Sequence, residues 1–268
     1  MSEKVLNSNK EAAQKSLGRL IEIMDELREK CPWDKKQTIE SLRHLTIEET
    51  YELADAILDN DMQNIRKELG DVLLHLVFYA KIASETGDFT FADVIDGLCE
   101  KLVFRHPHVF GDVSVRDDSD VKTNWENLKI KEGNKSILAG VPKSLPAMVK
   151  ALRIQDKVHA VGFDWDKREQ VWDKVKEETG ELKQEIDRMD AARMEAEFGD
   201  LFFSLVNAAR LYGVDPESAL ERTNRKFITR FNYLEEKTIK AGRPLTGMSL
   251  NEMNVIWDEA KKEERINE

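Results

Sequence analysis

Apolar residues recur along the chain at the three- and four-residue spacing of amphipathic helices. In the segment SLGRLIEIMDELR, five apolar positions fall on one stripe: Leu17, Leu20, Ile21, Met24 and Leu27. The segment TIEETYELADAIL repeats this pattern, with its acidic residues on the opposite side. Residues 65–83, IRKELGDVLLHLVFYAKIA, are far more apolar, which predicts a nearly buried helix. Together these patterns predict an all-α fold.

The composition supports that prediction and narrows the classes of function. Of 268 residues, 41% are hydrophobic and 35% charged, with only 13 Gly and 6 Pro, a balance that favours helices over β-rich folds. A formal net charge of −11 repels nucleic acid and anionic membranes, so we expect neither as a partner. Because we find neither a signal-peptide pattern nor a membrane-span pattern, we expect a cytoplasmic protein. The cysteines, Cys31 and Cys99, are too few for a thiolate metal site or a disulfide framework.

An acidic pattern occurs twice. Residues 177–181 read EETGE, and residues 48–52, which lie 129 positions earlier, read EETYE. Sixteen residues after the last Glu of each block begins a second acidic segment, ELGD or EFGD. An aromatic triplet, PWD or DWD, precedes each block, and matched Lys, Arg and Trp positions follow it. We therefore infer a tandem duplication.

This duplication predicts the domain organisation. We expect a first helical repeat over residues 1–132, a linker over residues 133–146 and a second repeat over residues 147–268. The linker region is rich in Gly, Ser and Pro, which commonly separate domains. One repeat supplies too few helices for a sealed bundle. We therefore expect four-helix-bundle-type assemblies in a homodimer.

The two acidic segments of each repeat can form one site only if the chain reverses between them. On one continuous helix, Glu52 and Glu68 would lie roughly 24 Å apart at about 1.5 Å per residue. The polar segments LDNDMQN and DRMDAA are therefore predicted turns between antiparallel helices. A solvated helix face is the simpler interpretation of EETYE alone, but the second acidic segment leads into a buried helix, where charges need compensation.

Converging carboxylates indicate a hard divalent cation, Mg²⁺ with Mn²⁺ as an alternative. In proteins, Mg²⁺ commonly binds carboxylates together with the phosphates of a substrate. A phosphate-bearing substrate is therefore the natural expectation. Repeated basic residues downstream of each acidic block fit it: Lys101, Arg105 and Lys129 in the first repeat, and Lys226, Arg230 and Lys261 in the second.

The doubled EExxE…ExxD pattern, with CPWD early and GFDWD opening the second half, resembles the bacterial two-domain MazG nucleoside triphosphate pyrophosphohydrolases. The resemblance extends from about Leu17 to Lys261 and is strengthened by RHPHVF and NRKFITRF. It implies hydrolysis of ribo- and deoxyribonucleoside triphosphates to the monophosphate and pyrophosphate. The metal ligands that it implies are Glu178, Glu181, Glu197 and Asp200 in the second repeat, and Glu49, Glu52, Glu68 and Asp71 in the first.

The resemblance also implies roles for other residues. Four residues are expected to be catalytic: Glu177, Glu178, Lys226 and Arg230. Glu177, like Glu48, would orient or deprotonate water, and Lys226 and Arg230 would stabilise the departing pyrophosphate. Lys226, Arg230 and Lys261 are expected to hold phosphates, with Asn224 and Trp257 near the nucleotide, and Lys101, Arg105 and Lys129 are the corresponding first-repeat residues. We expect in-line attack of a metal-activated water on the α-phosphorus. In similar proteins activity is attributed mainly to the second repeat, but here both carboxylate sets are complete.

Two other functions remain open at this point. The carboxylate motif also marks all-α dimeric dUTPases and phosphoribosyl-ATP pyrophosphohydrolases, although the duplication argues against both. A helical module that binds nucleotides without hydrolysing them would retain the same acids. In the first repeat, RHPHVF replaces NRKFITRF, which puts nucleotide binding there in doubt rather than metal binding.

Overall fold

A computed structural model of the chain describes residues 3–117, 120–121, 124–125, 128, 136–240 and 242–267. These residues form ten α-helices and no β-strand, which confirms the all-α prediction. The helices are α1 Glu3–Lys30, α2 Ile39–Leu58, α3 Met62–Thr86, α4 Phe91–Arg105, α5 Pro107–Phe110, α6 Ala147–His159, α7 Val171–Arg188, α8 Ala191–Leu211, α9 Pro216–Thr238 and α10 Leu250–Asn267. Short 3₁₀ segments span Asp34–Lys36, Ile137–Gly140, Arg168–Gln170 and Leu245–Gly247.

The chain divides into two units, Met1–Ser114 and Val115–Glu268. Each unit contains one copy of the acidic pattern. Residues 133–135 of the predicted linker lie outside the described residues, so the bounds of that linker stay a prediction.

A tight helical hairpin forms the centre of each unit, and both predicted chain reversals are present. Between α2 and α3, Asn60 has a φ of 53°, and the Asp61 carboxylate accepts hydrogen bonds from the first backbone N–H groups of α3. Between α7 and α8, Met189 has a φ of 56°, and Asp190 caps α8 in the same way. A left-handed residue followed by an aspartate N-cap therefore turns the chain in both repeats, which brings each EExxE helix against its ExxD helix.

The core of the first unit joins α1, α2 and α3. Met24, Leu42, Val77 and Phe78 form its buried centre. Leu20 and Ile21 of α1 pack against this cluster, as the sequence stripe predicted. Helix α1 thus packs on the hairpin of α2 and α3 through this apolar cluster.

The helices α3 and α8 are buried on one side only. The sequence predicted that residues 65–83 would be nearly buried, but three apolar side chains of α3 are exposed: Leu69, Leu73 and Leu76. The positions 129 residues later in α8 are exposed as well: Phe198, Phe202 and Leu205. These positions recur at i, i+4 and i+7, so each repeat presents one continuous apolar stripe on its ExxD helix.

Within the described residues, none of the helices is long and apolar enough to span a membrane. The cytoplasmic location stays a prediction from the sequence.

Candidate functional site

Three carboxylates come together in the second repeat. Glu178 of α7 and Glu197 and Asp200 of α8 each offer an oxygen within 4.8 Å of the others. Glu178 is only 5% exposed, whereas Asp200 reaches the surface. The fourth predicted ligand, Glu181, is exposed and does not belong to this tight group.

A lysine neutralises part of this acidic group. The Nζ of Lys174 lies 2.7 Å from Glu178 and 3.0 Å from Glu177, one turn further along α7. Hydrogen bonds to these two carboxylates raise the pKa of Lys174. Burial, followed by repulsion from Glu181 and Asp200, raises the pKa of Glu197. The compensation by Lys174 is therefore incomplete.

The first repeat contains the same group with a different counter-ion. Oxygens of Glu49, Glu68 and Asp71 lie within 4.8 Å of one another, and Glu52 lies outside this tight group. Here Lys67 of α3 supplies the positive charge, with its Nζ 2.9 Å from Glu68 and 3.9 Å from Asp71. Burial, followed by the charge of Asp71, raises the pKa of Glu49.

Both groups fit a hard divalent cation. Their donors are all carboxylate oxygens, which is the ligand type that Mg²⁺ and Mn²⁺ take. In each group one buried oxygen has no hydrogen-bond partner among the described residues, namely Oε2 of Glu68 and Oε2 of Glu197. An unpaired buried carboxylate oxygen is costly, and a bound cation would satisfy it.

A cavity of about 630 Å³ adjoins the carboxylates of the second repeat. Its wall includes Glu178, Asp200 and Lys174 at the acidic group. The other lining residues are largely aromatic, aliphatic or amide side chains, including Ile154, Gln155, Val158, Phe163, Asp164, Trp165, Val171, Phe203, Asn207 and Arg210. The size lies within the range of cavities that bind small organic ligands.

The polar side chains of this cavity are held by one another. The Arg210 guanidinium donates to both carboxylate oxygens of Asp164, at 2.7 and 2.8 Å, and to the amide oxygen of Asn207, at 2.9 Å. The Gln155 amide nitrogen donates to the Phe203 carbonyl at 2.8 Å. The Gln155 amide oxygen is buried and has no hydrogen-bond partner within the part of the chain that the structure describes.

The position in the first repeat that matches Asn207 is a core residue. Phe78 stands 129 residues before Asn207 and is 2% exposed, packed in the core cluster that Met24 enters from α1. The guanidinium of Arg28 covers the ring of Phe78, 5.6 Å from its centroid. The two repeats thus share the acidic group but differ in the space beside it.

The predicted phosphate-binding residues of the second repeat lie on α9 and α10, outside the lining of the cavity. Arg230 donates to Glu264 at 2.9 Å, and Lys261 pairs with Asp258 at 3.0 Å. Asn224 is exposed, Trp257 packs against Phe227 with ring centroids 5.0 Å apart, and Lys226 is exposed. In the first repeat, Lys101 is exposed and Arg105 half-buried on α4, while Lys129 lies outside the described residues.

The sequence patterns did not single out Lys174, Gln155 or Asn207. Lys174 looks like one of many surface lysines, and Gln155 sits unremarked in an amphipathic helix. A signal was available for Asn207, because the repeat alignment sets it against Phe78 within two otherwise similar apolar segments.

Comparisons with known proteins agree with the duplicated site. The model of the MazG nucleotide pyrophosphohydrolase domain matches twice, over residues 37–110 and 167–234, so each match contains one acidic group. A nucleoside triphosphate pyrophosphohydrolase of Escherichia coli (strain K12) is 42% identical over 257 residues, covering 92% of this chain and 98% of that protein.

Two further relatives have similar coverage of this chain. The nucleoside triphosphate pyrophosphohydrolase/pyrophosphatase MazG of Thermotoga maritima is 45% identical over 247 residues, covering 90% of this chain and 94% of that protein. The uncharacterized protein YabN of Bacillus subtilis (strain 168) is 49% identical over 239 residues, which cover 88% of this chain but 49% of YabN.

Proposed function

This chain belongs to the MazG nucleotide pyrophosphohydrolase family, and we propose that it hydrolyses ribo- and deoxyribonucleoside triphosphates to the nucleoside monophosphate and pyrophosphate. Two relatives with 42% and 45% identity, which this chain covers almost completely, are named for such an activity. One observation carries the proposal: an acidic group suited to a divalent cation lies against a cavity large enough for an organic ligand.

We propose Mg²⁺ as the cofactor, with Mn²⁺ as a substitute. In the second repeat Glu178, Glu197 and Asp200 would hold it, with Glu181 one turn beyond Glu178 as a fourth ligand. A bound Mg²⁺ would supply a Lewis acid that offsets the triphosphate charge and lowers the pKa of water at the site.

The reaction adds water to the α-phosphorus and breaks the bond between that phosphorus and the oxygen bridging to the β-phosphate. Glu177 is exposed beside the acidic group, so it can orient the attacking water and accept its proton. Lys174 can leave its carboxylates and pair with phosphate oxygens once a cation replaces it. Lys226 and Arg230 are proposed to stabilise the departing pyrophosphate. Arg230 must first exchange Glu264 for phosphate.

A homodimer is part of the proposal. The apolar stripes on α3 and α8 are too extensive to leave in water without cost, and they begin next to Glu68 and Glu197. Pairing with a second copy would bury them and close the bundle around each acidic group. In such a dimer, Lys226, Arg230 and Lys261 of one chain, which lie outside the lining of its own cavity, could contact the triphosphate bound by the other chain.

The deciding experiment measures pyrophosphate release from the four ribo- and four deoxyribonucleoside triphosphates. It compares the wild type with Glu178→Ala and with the matched first-repeat variant Glu49→Ala. Because only the second acidic group adjoins the cavity described above, we expect Glu178→Ala to lose activity by about 100-fold or more, the size seen when a charge-stabilising group is removed. Glu49→Ala should retain most of it.

The proposal fails if the wild type binds nucleotides with Mg²⁺ but releases no pyrophosphate, which would favour a binding module. Full activity in Glu178→Ala would show that the principal site lies elsewhere. Assayed beside these eight nucleotides, dUTP and phosphoribosyl-ATP test the narrow alternatives: turnover restricted to one of them would replace the broad substrate class.

A further inference from the structure

We propose that the cavity of the second repeat is the subsite for the nucleotide base, and that the unpaired amide oxygen of Gln155 accepts a hydrogen bond from that base. This inference rests on the proposed function for the position of the triphosphate. It goes further in naming the side chains that contact the base and in comparing them with the matching position of the first repeat.

The lining of the cavity combines the two chemistries that a nucleotide needs. Glu178 and Asp200 belong both to the cavity wall and to the carboxylate group, so a cation-bound triphosphate would lie at the cavity. The remaining wall, with Phe163, Trp165 and Phe203, suits a flat apolar group attached to those phosphates. Aromatic rings stack on every nucleobase, because each base has a π-face.

Two of these rings are poorly explained as core residues. Phe163 is 79% exposed and Trp165 is 40% exposed, although both line the cavity. Large aromatic side chains that remain in solvent at the mouth of a cavity are typical of a ligand site. They follow directly on α6, in the GFDWD segment that the sequence set against CPWD.

Gln155 supplies the polar contact. Its side chain is 3% exposed, and its orientation is fixed because only the amide nitrogen can donate to the Phe203 carbonyl at 2.8 Å. The amide oxygen is therefore held away from that carbonyl, buried and without a partner, in a residue that lines the cavity. A buried acceptor left unpaired is costly, so a donor on a ligand is the expected partner.

Each common base offers such a donor. Adenine and cytosine carry an exocyclic amino group, and guanine, uracil and thymine carry a ring N–H on the pairing edge. An acceptor held at the cavity wall would therefore distinguish a base-bearing triphosphate from one without a base. It does not by itself restrict the enzyme to one nucleotide.

The first repeat provides an internal comparison. Phe78 replaces Asn207 there, and Met24 of α1 packs with it in a closed apolar cluster. In the first repeat a buried core residue thus stands at the position where the second repeat has an amide that lines the cavity. The substitution Asn207→Phe copies the first repeat, and Gln155→Met introduces the buried residue type that α1 contributes.

Titration calorimetry with two probes tests the inference. One probe is α,β-methylene-ATP, whose α–β bond resists hydrolysis, and the other is inorganic triphosphate, which has no base; both are used with Mg²⁺. We expect Gln155→Met to weaken binding of the nucleotide analogue about tenfold or more, with unchanged binding of inorganic triphosphate. Asn207→Phe should abolish the preference for the nucleotide over inorganic triphosphate.

A variant at an exposed residue separates loss of binding from loss of folding. Because Phe163 is largely exposed, Phe163→Ala should leave the thermal unfolding unchanged and still weaken nucleotide binding. If all three variants keep the wild-type affinity for the analogue, or lose affinity for both probes equally, the base does not bind in this cavity. The proposed function fails separately, if the wild type releases no pyrophosphate from any nucleotide.

Discussion

Each acidic group carries its own lysine, but the two lysines come from different helices. Lys174 precedes Glu178 on the EExxE helix of the second repeat, whereas Lys67 precedes Glu68 on the ExxD helix of the first. The repulsion among the carboxylates is thus offset in each repeat by a lysine from a different position. This indicates that the carboxylates were retained from the duplication, and that the lysines balance charge when no cation is bound.

The raised pKa of Glu197 predicts the effect of neutralising it. An acid whose pKa is raised by folding contributes stability that is present below its ordinary pKa and lost as the pH rises through the raised value. At neutral pH its charge therefore opposes folding. We expect Glu197→Gln to raise the unfolding temperature of the metal-free protein and to remove most of the stabilisation by Mg²⁺, in thermal unfolding with EDTA or with Mg²⁺.

The expected size of the stabilisation by Mg²⁺ follows from its affinity for the folded state. A ligand at 100 times its dissociation constant stabilises the folded state by about 2.7 kcal/mol, which the wild type should show in its second repeat. The exposed residue Glu195 lies on the same helix, so Glu195→Gln is the matched control and should keep the response to Mg²⁺. A Glu197→Gln variant that is less stable than the wild type in EDTA would contradict the account.

At this scale the sequence predicted the acids but not their surroundings. The carboxylates can be recognised in the sequence because they recur at helical spacing after 129 residues. The sequence does not reveal the role of Gln155, because a glutamine within an amphipathic helix is usually solvated. Its burial follows only from packing against the hairpin of α7 and α8. Its fixed orientation depends on the carbonyl of Phe203, a contact between helices 48 residues apart.

Among the helices, the hairpin turns are the most sharply determined feature. In each repeat the left-handed residue lets the chain reverse within three residues, and the side chain of the following aspartate accepts a hydrogen bond from the first turn of the next helix. The first repeat places Asn60 at the left-handed position, a residue type that tolerates this conformation. The second repeat places Met189 there, an exposed side chain with no such tolerance.

The substitution Met189→Asn should therefore stabilise the second repeat. It copies the first repeat and relieves a left-handed strain of roughly 1 kcal/mol, so we expect a gain of about 0.5–1 kcal/mol in the free energy of unfolding, measured in urea. The reciprocal change, Asn60→Met, should destabilise the first repeat by a similar amount. Equal stability of Met189→Asn and the wild type would show that the turn is not strained.

Helical periodicity predicted where the helices lie but not which faces solvent reaches. The apolar run of residues 65–83 indicates burial on all sides, yet Leu69, Leu73 and Leu76 are exposed in one chain. Apolar periodicity indicates which side chains are buried in the final assembly. Whether the chain itself or another copy provides the cover is decided by assembly, which local patterns do not encode.

For the whole molecule, the duplication and part of the divergence of the two repeats were visible in the sequence. The acidic patterns are complete in both repeats, whereas RHPHVF in place of NRKFITRF put nucleotide binding by the first repeat in doubt. The structure adds a difference in what α1 and α6 place beside the hairpin, Met24 within an apolar core or Gln155 at a cavity. Packing between distant helices thus decides which side chains stand beside each hairpin.

The exposed stripes lead to the last prediction, on assembly. Phe198, Phe202 and Leu205 form one apolar face on α8, so a charge at its centre should oppose burial against a second copy. We expect a homodimer for the wild type in size-exclusion chromatography with light scattering, and a shift toward monomer for Phe202→Glu. Leu250→Glu, at an exposed apolar residue of α10, is the matched control and should remain dimeric.

If partner residues complete the site, Phe202→Glu should also lose pyrophosphate release while still binding Mg²⁺, and a fully active monomer would show that one chain suffices.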